Sequence, residues 1–495
     1  MTEANETSST PRPTIFVLFG ATGDLAKRMV LPAFYELANS GLLPQQWRLI
    51  GNGRGDVSHL DFRQHVHDVL SEFSSLGSDE QWEAFRERLY FAGGGFSSDD
   101  PGSLLDVISE SREEMQGEQL VHYFAVPPSS FGELTKGLGE HDLAGDARVV
   151  FEKPFGTSAE AFHKLDKIVH SVLDESQAYR IDHFLGKEAT QDLHVMRFAN
   201  SLISGIWDAE HVESVQIDVP ETLDVADRAL FYDATGAILD MLVTHLFQVA
   251  AEVAMEPPAS LDASDLQSAR EEIISKFRTI EPSDVVLGQY DGYLETEGVK
   301  EGSRTETFVA AKLWIDSDRW KGVPFLLRTG KQLARSEQRV SLVLRSPQGP
   351  LGSLPAERNV LSFSLSGSGE VDLSLVVKEP GPELKLGVAE AKIPLANVNG
   401  GQPLSPYSRL IHDVLLGDRS LFTRPDGLEQ VWKVSEKILS DPPAPLPYAP
   451  GSWGPEAADA LVSPLRWLVG DGSPAAKEKS ADTRKPATNE EKEES

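Results

Sequence analysis

An apolar segment in the middle of the chain contains a histidine with acids nearby, a combination that could transfer a proton. The segment "GAILDMLVTHLFQVAAEV" (236–253) is apolar on nearly every side, which predicts a buried helix. It nevertheless carries His245 beside a stripe of polar residues at helical spacing, namely Asp240, Thr244, Gln248 and Glu252. An unpaired buried charge is costly, so these groups must be paired or functional. His245 is either a satisfied core residue or a general base whose tautomer a carboxylate fixes.

A basic pair that could bind an anion lies upstream. In "YRIDHFLGKEATQDLHVMRFAN" (179–200), His183 and Lys187 are four residues apart and would share one face if this stretch were helical. A solvated helix face is the ordinary interpretation of such a pair, but the apolar residues Phe184 and Leu185 lie between its two members. Gly186 makes a regular helix less certain.

A glycine turn near the N-terminus predicts a phosphate site. "TIFVLFG" (14–20) has the pattern of a buried parallel strand, and the helix expected after it ends near Gly41. Gly20 and Gly23 supply the last two glycines of a dinucleotide-binding turn, whereas Leu18 occupies the position of the first. The glycines would let backbone N–H groups approach a pyrophosphate. The alternative is a purely structural strand-to-helix turn.

The next strand indicates which coenzyme would fit. "WRLIGNGRG" (47–55) places Arg54 at its end, where an enzyme that uses NAD usually has an acid for the ribose 2′-hydroxyl. An arginine suits a 2′-phosphate, and Lys27 and Arg28 add positive charge nearby. The pattern therefore favours NADP over NAD, unless Arg54 is a solvated loop residue.

Further predicted strands end in abrupt breakers that carry bases. They are the segments 120–131, 147–156 and 320–334. Ligands of open α/β sheets bind at the carboxyl ends of strands. In Glu152-Lys153-Pro154 the proline forces Lys153 into an extended conformation at a strand tip, although an ordinary surface lysine would look the same. Lys331 follows the third of these strands.

Composition limits the classes of protein to consider. The 495 residues predict two domains, and polar stretches at 1–12 and 470–495 predict disordered tails. The formal net charge of −31 argues against nucleic-acid binding. No apolar run is long enough to cross a bilayer, no signal sequence opens the chain, and no cysteine is present, so we expect a soluble cytoplasmic protein.

Several motifs in order make the chain resemble the glucose-6-phosphate dehydrogenases over residues 14–465. The matching segments are 20–27, 152–156, "RIDHFLGKE", "YDATGAILDMLVTHLFQ", "AMEPPASL", "VVLGQYDGY", "VPFLLRTGKQL" and "GSWGP". "RIDHFLGKE" together with "EKPFG" is highly specific. The block from 340 to 440 matches loosely.

The resemblance implies an α/β plus α+β fold. An N-terminal Rossmann-like NADP-binding domain would span 13–175, and 176–469 would form an α+β domain with an extended antiparallel sheet. That sheet would provide dimer contacts in a homodimer or a dimer of dimers. The implied reaction is oxidation of D-glucose 6-phosphate at C1, giving 6-phospho-D-glucono-1,5-lactone and NADPH. This is the first step of the oxidative pentose phosphate pathway, and it needs no metal.

The resemblance also assigns residues. His245 would be the proton acceptor and Asp182 the acid that orients it. His183 and Lys187 would bind the substrate phosphate. Residues that would hold the sugar are Glu221, Asp240 and Lys331. Lys153 would lie between coenzyme and substrate, and Arg54 would bind the 2′-phosphate. The remaining coenzyme contacts would come from Gly20, Thr22, Gly23, Asp24, Leu25 and Lys27.

Three positions depart from the family pattern. Phe184 replaces a tyrosine, Thr244 an asparagine and Leu239 an arginine. The first bears on phosphate affinity, and the other two lie near the base. Two alternatives remain: a non-catalytic sensor of sugar phosphates or nucleotides, and a dehydrogenase for another hexose 6-phosphate or free glucose. Retention of His245 with Asp182 argues against the sensor, and His183 with Lys187 argues for a phosphorylated substrate.

Overall fold

A computed structural model describes residues 11–470, except 116, 355, 356, 399 and 401. The predicted tails lie outside the described residues over 1–10 and 471–495. Arg12, at the end of the predicted N-terminal tail, donates to a carboxylate oxygen of Asp146 at 2.7 Å.

Alternating apolar runs and breakers fold into many short elements. The strands are β1 (Thr14–Phe19), β2 (Trp47–Asn52), β3 (Leu89–Ala92), β4 (Gln119–Phe124), β5 (Arg148–Phe151), β6 (Ala178–Ile181), β7 (Val212–Pro220), β8 (Val285–Tyr290), β9 (Phe308–Leu313), β10 (Phe325–Gly330), β11 (Arg339–Leu344), β12 (Val360–Ser364), β13 (Glu370–Lys378), β14 (Leu386–Pro394), β15 (Phe422–Thr423) and β16 (Leu446–Tyr448). The α-helices are α1 (Leu31–Asn39), α2 (His59–Phe73), α3 (Asp79–Arg86), α4 (Leu104–Glu114), α5 (Phe131–Glu140), α6 (Ala159–His170), α7 (Glu188–Ala199), α8 (Ser201–Ser204), α9 (Ala229–Tyr232), α10 (Phe247–Ala254), α11 (Ala263–Ile274), α12 (Pro406–Leu416), α13 (Pro425–Ser440) and α14 (Ala457–Val462).

The first sheet has the strand order β15-β6-β5-β4-β1-β2-β3. Strands β1 to β6 are parallel, and each residue of β1 is buried, as its uninterrupted apolar sequence predicts. The order reverses between β1 and β4, so a crevice opens beyond their carboxyl ends. This is the doubly wound arrangement of a dinucleotide-binding domain, and the predicted Rossmann-like fold is confirmed.

The second sheet has the order β14-β13-β12-β11-β7-β10-β9-β8-β16. Most neighbours pair antiparallel, as predicted, but β7 pairs parallel with β10 and β8 with β16. The parallel pair β7 and β10 places the ends of both strands at one edge of the sheet. Side chains that follow these two strands can therefore form a site at this edge of the second sheet.

The predicted buried helix covers one face of this sheet. Its second half is α10, but its first half, Ile238–Leu246, is a wider π-helix rather than a regular α-helix. The wider turn changes which residues share a face. Glu252 forms a buried ion pair with Arg270 at 2.7 Å, whereas His245 pairs with Asp182. The polar stripe predicted from regular spacing is thus divided between two clusters.

Late parts of the chain complete the first sheet. Strand β15 pairs antiparallel with β6 at the sheet edge. Helix α12 packs beside α1, and Arg148 of β5 donates to the backbone oxygens of Val414 and Leu415 at 2.6 and 2.8 Å. The predicted domain boundary at residue 175 stays a prediction. Among the described residues, no helix has the length and apolar character to cross a bilayer.

Candidate active site

The glycine turn after β1 is shaped by close backbone contacts. Gly20 has a φ of 75°, and a Cβ atom there would lie 2.4 Å from the backbone oxygen of Ala125. Only glycine tolerates both conditions at this position. The Gly23 N–H then donates to the Gly20 oxygen at 2.8 Å, which closes the turn. The turn lies at the carboxyl end of β1, beside the crevice between β1 and β4.

The predicted coenzyme residues surround this turn with different degrees of exposure. Thr22 and Asp24 are exposed, and Leu25 and Lys27 are half-buried. Asp24 accepts a hydrogen bond from Arg28 at 2.7 Å. Asp24 and Arg28 therefore neutralise each other in part, and Lys27 supplies further positive charge beside the turn.

Arg54 lies in the exposed loop after β2. Its side chain runs past Gly95, whose Cα would carry a Cβ 3.5 Å from the Arg54 Cγ atom. Within the described part of the chain, the Arg54 guanidinium forms no hydrogen bond or ion pair. A guanidinium at the end of β2 is placed to meet an anionic group on a ribose bound across the sheet edge.

His245 and Asp182 form a buried pair. The Nδ1 atom of His245 lies 2.6 Å from Asp182 Oδ1, which also accepts the Phe184 backbone N–H at 2.9 Å. Burial raises the pKa of Asp182 to about 6. Burial, together with the charge of Lys153, lowers the pKa of His245 well below its usual value. His245 is therefore neutral near pH 7, with the Nδ1 proton directed to Asp182 and Nε2 available as an acceptor.

Lys153 reaches this pair from the tip of β5. Its Nζ atom lies 2.7 Å from His245 Nε2, 3.2 Å from Asp240 Oδ1 and 3.0 Å from the Asp240 backbone oxygen. Although burial opposes the shift, the charges of Lys153 and Lys331 lower the pKa of Asp240 to about 2. Asp240 is therefore ionised. Lys153 thus lies within hydrogen-bonding distance of two other predicted site residues, His245 and Asp240, although they belong to a distant part of the chain.

The pair that was predicted to bind phosphate, His183 and Lys187, lies on a turn and not on a helix. His183 and Lys187 fall between β6 and α7, so the helical face considered from spacing is wrong. Lys187 contacts the Gln338 side-chain oxygen, and its Nζ lies 4.1 Å from the centroid of the Phe184 ring. Burial lowers the pKa of Lys187 to about 8. The His183 ring lies 4.3 Å from the His245 ring, centroid to centroid, so the turn adjoins the base.

Glu221 and Lys331 meet at the edge of the second sheet where β7 and β10 end. Glu221 follows β7 and Lys331 follows β10, and the two side chains form an ion pair. The parallel pairing of these strands brings their ends together. Lys331 Nζ also lies 5.7 Å from the centroid of the Tyr232 ring. These contacts leave two polar groups near Asp240 that can hydrogen-bond hydroxyl groups.

The three departures from the family pattern have local explanations in part. Thr244 donates its hydroxyl to the Asp240 backbone oxygen at 2.7 Å, within the π-helix. Leu239 is half-buried and packs with two of the hydrophobic clusters. The Phe184 ring stacks on the His245 ring with centroids 4.6 Å apart and an interplanar angle of 28°. Phe184 therefore packs directly against the predicted base.

Donor atoms of Asp182, His183 and His245 lie within 4.8 Å of one another, a spacing that could hold a metal ion. Asp182 and His245 are hydrogen-bonded to each other, which is the arrangement of a proton-transfer pair. The absence of a metal stays a prediction.

Sequence reasoning missed three residues of this site. Gln338 contacts Lys187, Tyr407 stacks on His183 with centroids 6.2 Å apart, and Glu152 is buried beside Lys153. The sequence could have indicated Glu152, since an acid that directly precedes a lysine at a strand tip must be paired if it is buried. Gln338 lies just before the loosely matching block and Tyr407 within it, and no pattern singled out either residue.

A doubly wound sheet with a glycine turn, beside a buried His–Asp pair, is the architecture of a dinucleotide-dependent dehydrogenase. Comparisons with known proteins specify the family. Residues 17–192 match the family model "Glucose-6-phosphate dehydrogenase, NAD binding domain", and 194–467 match the model of the C-terminal domain of the same enzymes. The chain therefore belongs to the glucose-6-phosphate dehydrogenase family.

Individual relatives agree over nearly the whole length. Glucose-6-phosphate 1-dehydrogenase 2 of Mycobacterium tuberculosis is 37% identical over 473 residues, which cover 90% of this chain and 92% of the relative. Glucose-6-phosphate 1-dehydrogenase of Dickeya dadantii is 34% identical and covers 92% of this chain and 97% of its own. The crystal structure of the Mycobacterium avium enzyme superposes with a TM-score of 0.84 at 33% identity, covering 93% of this chain and 99% of that one.

A further solved structure is a glucose-6-phosphate dehydrogenase in complex with its substrate glucose-6-phosphate. It superposes with a TM-score of 0.86 at 29% identity and covers 92% of this chain and 98% of that one. The two-domain fold of this chain is thus the fold of a family member whose structure was solved in complex with that substrate.

Proposed function

We propose that this protein oxidises D-glucose 6-phosphate at C1 to 6-phospho-D-glucono-1,5-lactone, with NADP as the hydride acceptor. The observation that carries the proposal is the buried hydrogen bond between His245 and Asp182, next to Lys153 and Asp240. A non-catalytic sensor on this fold would have no need of a neutral, oriented imidazole in a dry site. The reaction begins the oxidative pentose phosphate pathway.

His245 accepts the proton of the reaction. Breaking the C1–H bond sends a hydride, with both bonding electrons, to the nicotinamide ring that NADP supplies. The C1 hydroxyl loses its proton to His245 Nε2, and the oxygen becomes the lactone carbonyl. Asp182 accepts the Nδ1–H bond, so it holds the required tautomer and stabilises the imidazolium that forms. Because burial keeps His245 neutral, its Nε2 atom can accept the proton near pH 7 once the substrate hydroxyl takes the place of the Lys153 ammonium there.

The substrate is held at both of its ends. His183 and Lys187 bind the phosphate from the turn before α7, and Glu221, Asp240 and Lys331 bind sugar hydroxyl groups. Lys153, at the tip of β5, connects the first sheet to the sugar site, since its Nζ atom contacts both the base and Asp240. Lys187 is half-buried, so a phosphate beside its ammonium group would be less screened by solvent than one at the protein surface. These contacts favour a hexose 6-phosphate over free glucose.

The coenzyme binds at the crevice of the first sheet. Gly20, Thr22, Gly23, Asp24, Leu25 and Lys27 form the turn that receives the pyrophosphate. Arg54 binds the 2′-phosphate and gives the preference for NADP over NAD. The unpaired, exposed position of Arg54 within the described residues supports this role, because no protein carboxylate competes for its guanidinium.

The outer strands of the second sheet support assembly into a homodimer or a dimer of dimers. Strands β13 and β14 expose apolar side chains on one face of the sheet, namely Leu375, Val377 and Ile393. An exposed apolar face of this kind marks a protein contact surface. We place the enzyme in the cytoplasm, in keeping with a chain that has no cysteine.

One assay tests the proposal. The purified protein is given glucose 6-phosphate or glucose, each with NADP or NAD, and formation of the reduced nicotinamide is followed by its near-ultraviolet absorbance. We expect rapid reduction of NADP with glucose 6-phosphate and far slower reduction with glucose. Absence of reduction in all four mixtures, with a folded protein, would reject the proposal in favour of the sensor.

A further inference from the structure

The start of the π-helix that carries Asp240 and His245 is held by a residue outside the proposed substrate contacts. The first N–H groups of a helix have no partner within the helix itself. Glu306 accepts two of them here. Its backbone oxygen accepts the Ala237 N–H at 3.0 Å, and its Oε1 atom accepts the Ile238 N–H at 2.9 Å. Glu306 therefore fixes where the π-helix begins.

A glycine lets the Glu306 carboxyl group lie directly against the backbone. Gly236 has a φ of 64°, and a Cβ atom there would lie 2.3 Å from Glu306 Oε1 and 2.8 Å from Oε2. Only glycine combines this backbone conformation with so close an approach. The carboxyl group is therefore packed on the turn that enters the π-helix, close in sequence to Asp240.

The contact with Ile238 needs an oxygen atom at this position and not a negative charge. Burial raises the pKa of Glu306 to about 7, while the hydrogen bond from Ile238 favours the ionised form. Both protonation states keep an oxygen that can accept the Ile238 N–H. A glutamine side chain has the same length and also carries an acceptor oxygen, so Glu306→Gln preserves the contact.

Thr307, the next residue, holds the backbone of Lys331. Its backbone oxygen accepts the Lys331 N–H at 2.9 Å. Its Oγ1 atom accepts the Tyr290 N–H at 3.0 Å and lies 2.9 Å from the hydroxyl oxygen of Tyr448. The Thr307 hydroxyl can thus donate to Tyr448, whose own hydroxyl donates to the Lys331 backbone oxygen at 2.7 Å. Both backbone groups of Lys331 are therefore fixed by buried partners.

Two consecutive residues thus connect two of the predicted sugar-binding residues. Asp240 lies on the π-helix and Lys331 on the turn after β10, and within the described residues no hydrogen bond or ion pair joins them directly. Glu306 and Thr307 directly precede β9, which pairs antiparallel with β10. The spacing between Asp240 and Lys331 therefore depends on this segment.

We propose that Glu306 and Thr307 form a positioning segment, which sets Asp240 and Lys331 at the spacing that the sugar hydroxyl groups require. This inference rests on the proposed function and deepens it, because it assigns roles in sugar binding to residues outside the proposed substrate contacts. Glu306 acts on Asp240 through the start of the π-helix. Thr307 acts on the Lys331 backbone, together with Tyr448.

The first experiment tests Glu306 by kinetics. Glu306→Ala removes the acceptor for Ile238, so KM for glucose 6-phosphate should rise about tenfold while KM for NADP stays within about twofold. Glu306→Gln keeps the acceptor, so both of its KM values should stay within about twofold of the unmodified enzyme. A merely destabilised enzyme would lose active fraction, and hence kcat, without this difference between the KM values. Unchanged or equally raised KM values in Glu306→Ala, or a Glu306→Gln enzyme impaired to the same degree, would overturn the proposal.

The second experiment tests the contact with Lys331 and leaves the start of the π-helix intact. Tyr448→Phe keeps the buried ring and removes the hydroxyl that donates to the Lys331 backbone oxygen. We expect KM for glucose 6-phosphate to rise about fivefold and KM for NADP to stay within about twofold. If Glu306→Ala does not fold, this variant decides alone. An unchanged KM for glucose 6-phosphate in Tyr448→Phe would overturn the proposal.

Gln81→Ala and Tyr35→Phe are the matched controls. Gln81 Oε1 accepts the Ser78 N–H at 2.9 Å at the start of α3, as Glu306 does at the π-helix. Tyr35 is a buried tyrosine on α1 whose hydroxyl donates to the Leu76 backbone oxygen. The KM values of both controls should match those of the unmodified enzyme. An unmodified enzyme without activity would reject the proposed function itself, whereas an active one with unaffected variants rejects only the positioning segment.

Discussion

His245 Nδ1 and Asp182 Oδ1 lie 2.6 Å apart although 63 positions separate the two residues in the chain. One comes from the π-helix under the second sheet, and the other from the turn that leaves the first sheet. The hydrogen bond therefore depends on how the two sheets are joined. It also fixes which imidazole nitrogen faces Lys153, and hence which nitrogen can accept a proton.

Removal of the imidazole should abolish most of the rate. A general base contributes roughly 10²–10⁴-fold, so we expect His245→Asn to lower kcat by at least about a hundredfold with little change in KM for glucose 6-phosphate. Asp182→Asn should also lose most of its rate, because the imidazole loses its orientation. Steady-state kinetics check both variants, with the exposed His163→Asn as control. A His245→Asn enzyme with near-normal kcat would refute the role.

Coenzyme choice should depend on Arg54. A hydrogen-bonded charge pair with phosphate is worth ~1.5–3 kcal/mol, or about 10–100-fold in affinity. We therefore expect Arg54→Ala to weaken NADP binding by that factor and to leave NAD binding nearly unchanged. Titration of both coenzymes by calorimetry measures this. Arg86→Ala, on the exposed face of α3, is the control. Equal losses for NADP and NAD would contradict the assignment to the 2′-phosphate.

The affinity for substrate should fall at alkaline pH. Burial lowers the pKa of Lys187 to about 8, so the free enzyme loses this positive charge as pH rises through that value. A phosphate site that requires the charged form should then show a KM for glucose 6-phosphate that rises about tenfold from pH 7 to pH 9. The bound phosphate favours the ammonium, so kcat should change less.

Lys187→Arg tests the origin of that pH dependence. An arginine stays charged throughout this range, so KM in this variant should be nearly constant from pH 7 to pH 9, whatever its absolute value. If the variant shows the same alkaline rise as the unmodified enzyme, another group is responsible.

Phe184→Tyr should strengthen substrate binding. The ring lies between His245 and the Lys187 ammonium, and a tyrosine hydroxyl could donate to the phosphate that Lys187 attracts. A bound water can replace much of such a bond, so the deficit with phenylalanine is about 1 kcal/mol. We expect KM for glucose 6-phosphate to fall several-fold and kcat to stay constant, because ground and transition states share the contact. An unchanged or higher KM would show that another donor already fills the position.

The sequence predicted the elements whose pattern is local. Buried strands ending in glycine or proline placed Gly20, Lys153 and Lys331 at strand tips, as the structure has them. It could not predict the π-helix, since apolar residues on every side fit a helix of either width. It also misjudged the turn holding His183, because the packing of α12 against Gly186 decides its shape, and that helix is more than two hundred residues away in the chain.

The assignment of roles needed more than local pattern. The pairing of His245 with Asp182 arises from two separate segments, and the residues alone indicated only that a carboxylate should be available. Tyr407 had no signal, because a tyrosine at the start of a helix is ordinary until its neighbours in space are known.

Strand β15 and helix α12 have a consequence for how the chain folds as it is made. Synthesis delivers β1 to β6 first, whereas the strand that covers the edge of β6 and the helix that holds Arg148 arrive after more than two hundred further residues. Until then the nascent sheet has an open edge and α1 an uncovered side. Such a half-finished sheet invites pairing with other chains. We therefore expect emergence of α12 and β15, rather than emergence of the first half of the chain, to be the step that protects this protein from aggregation.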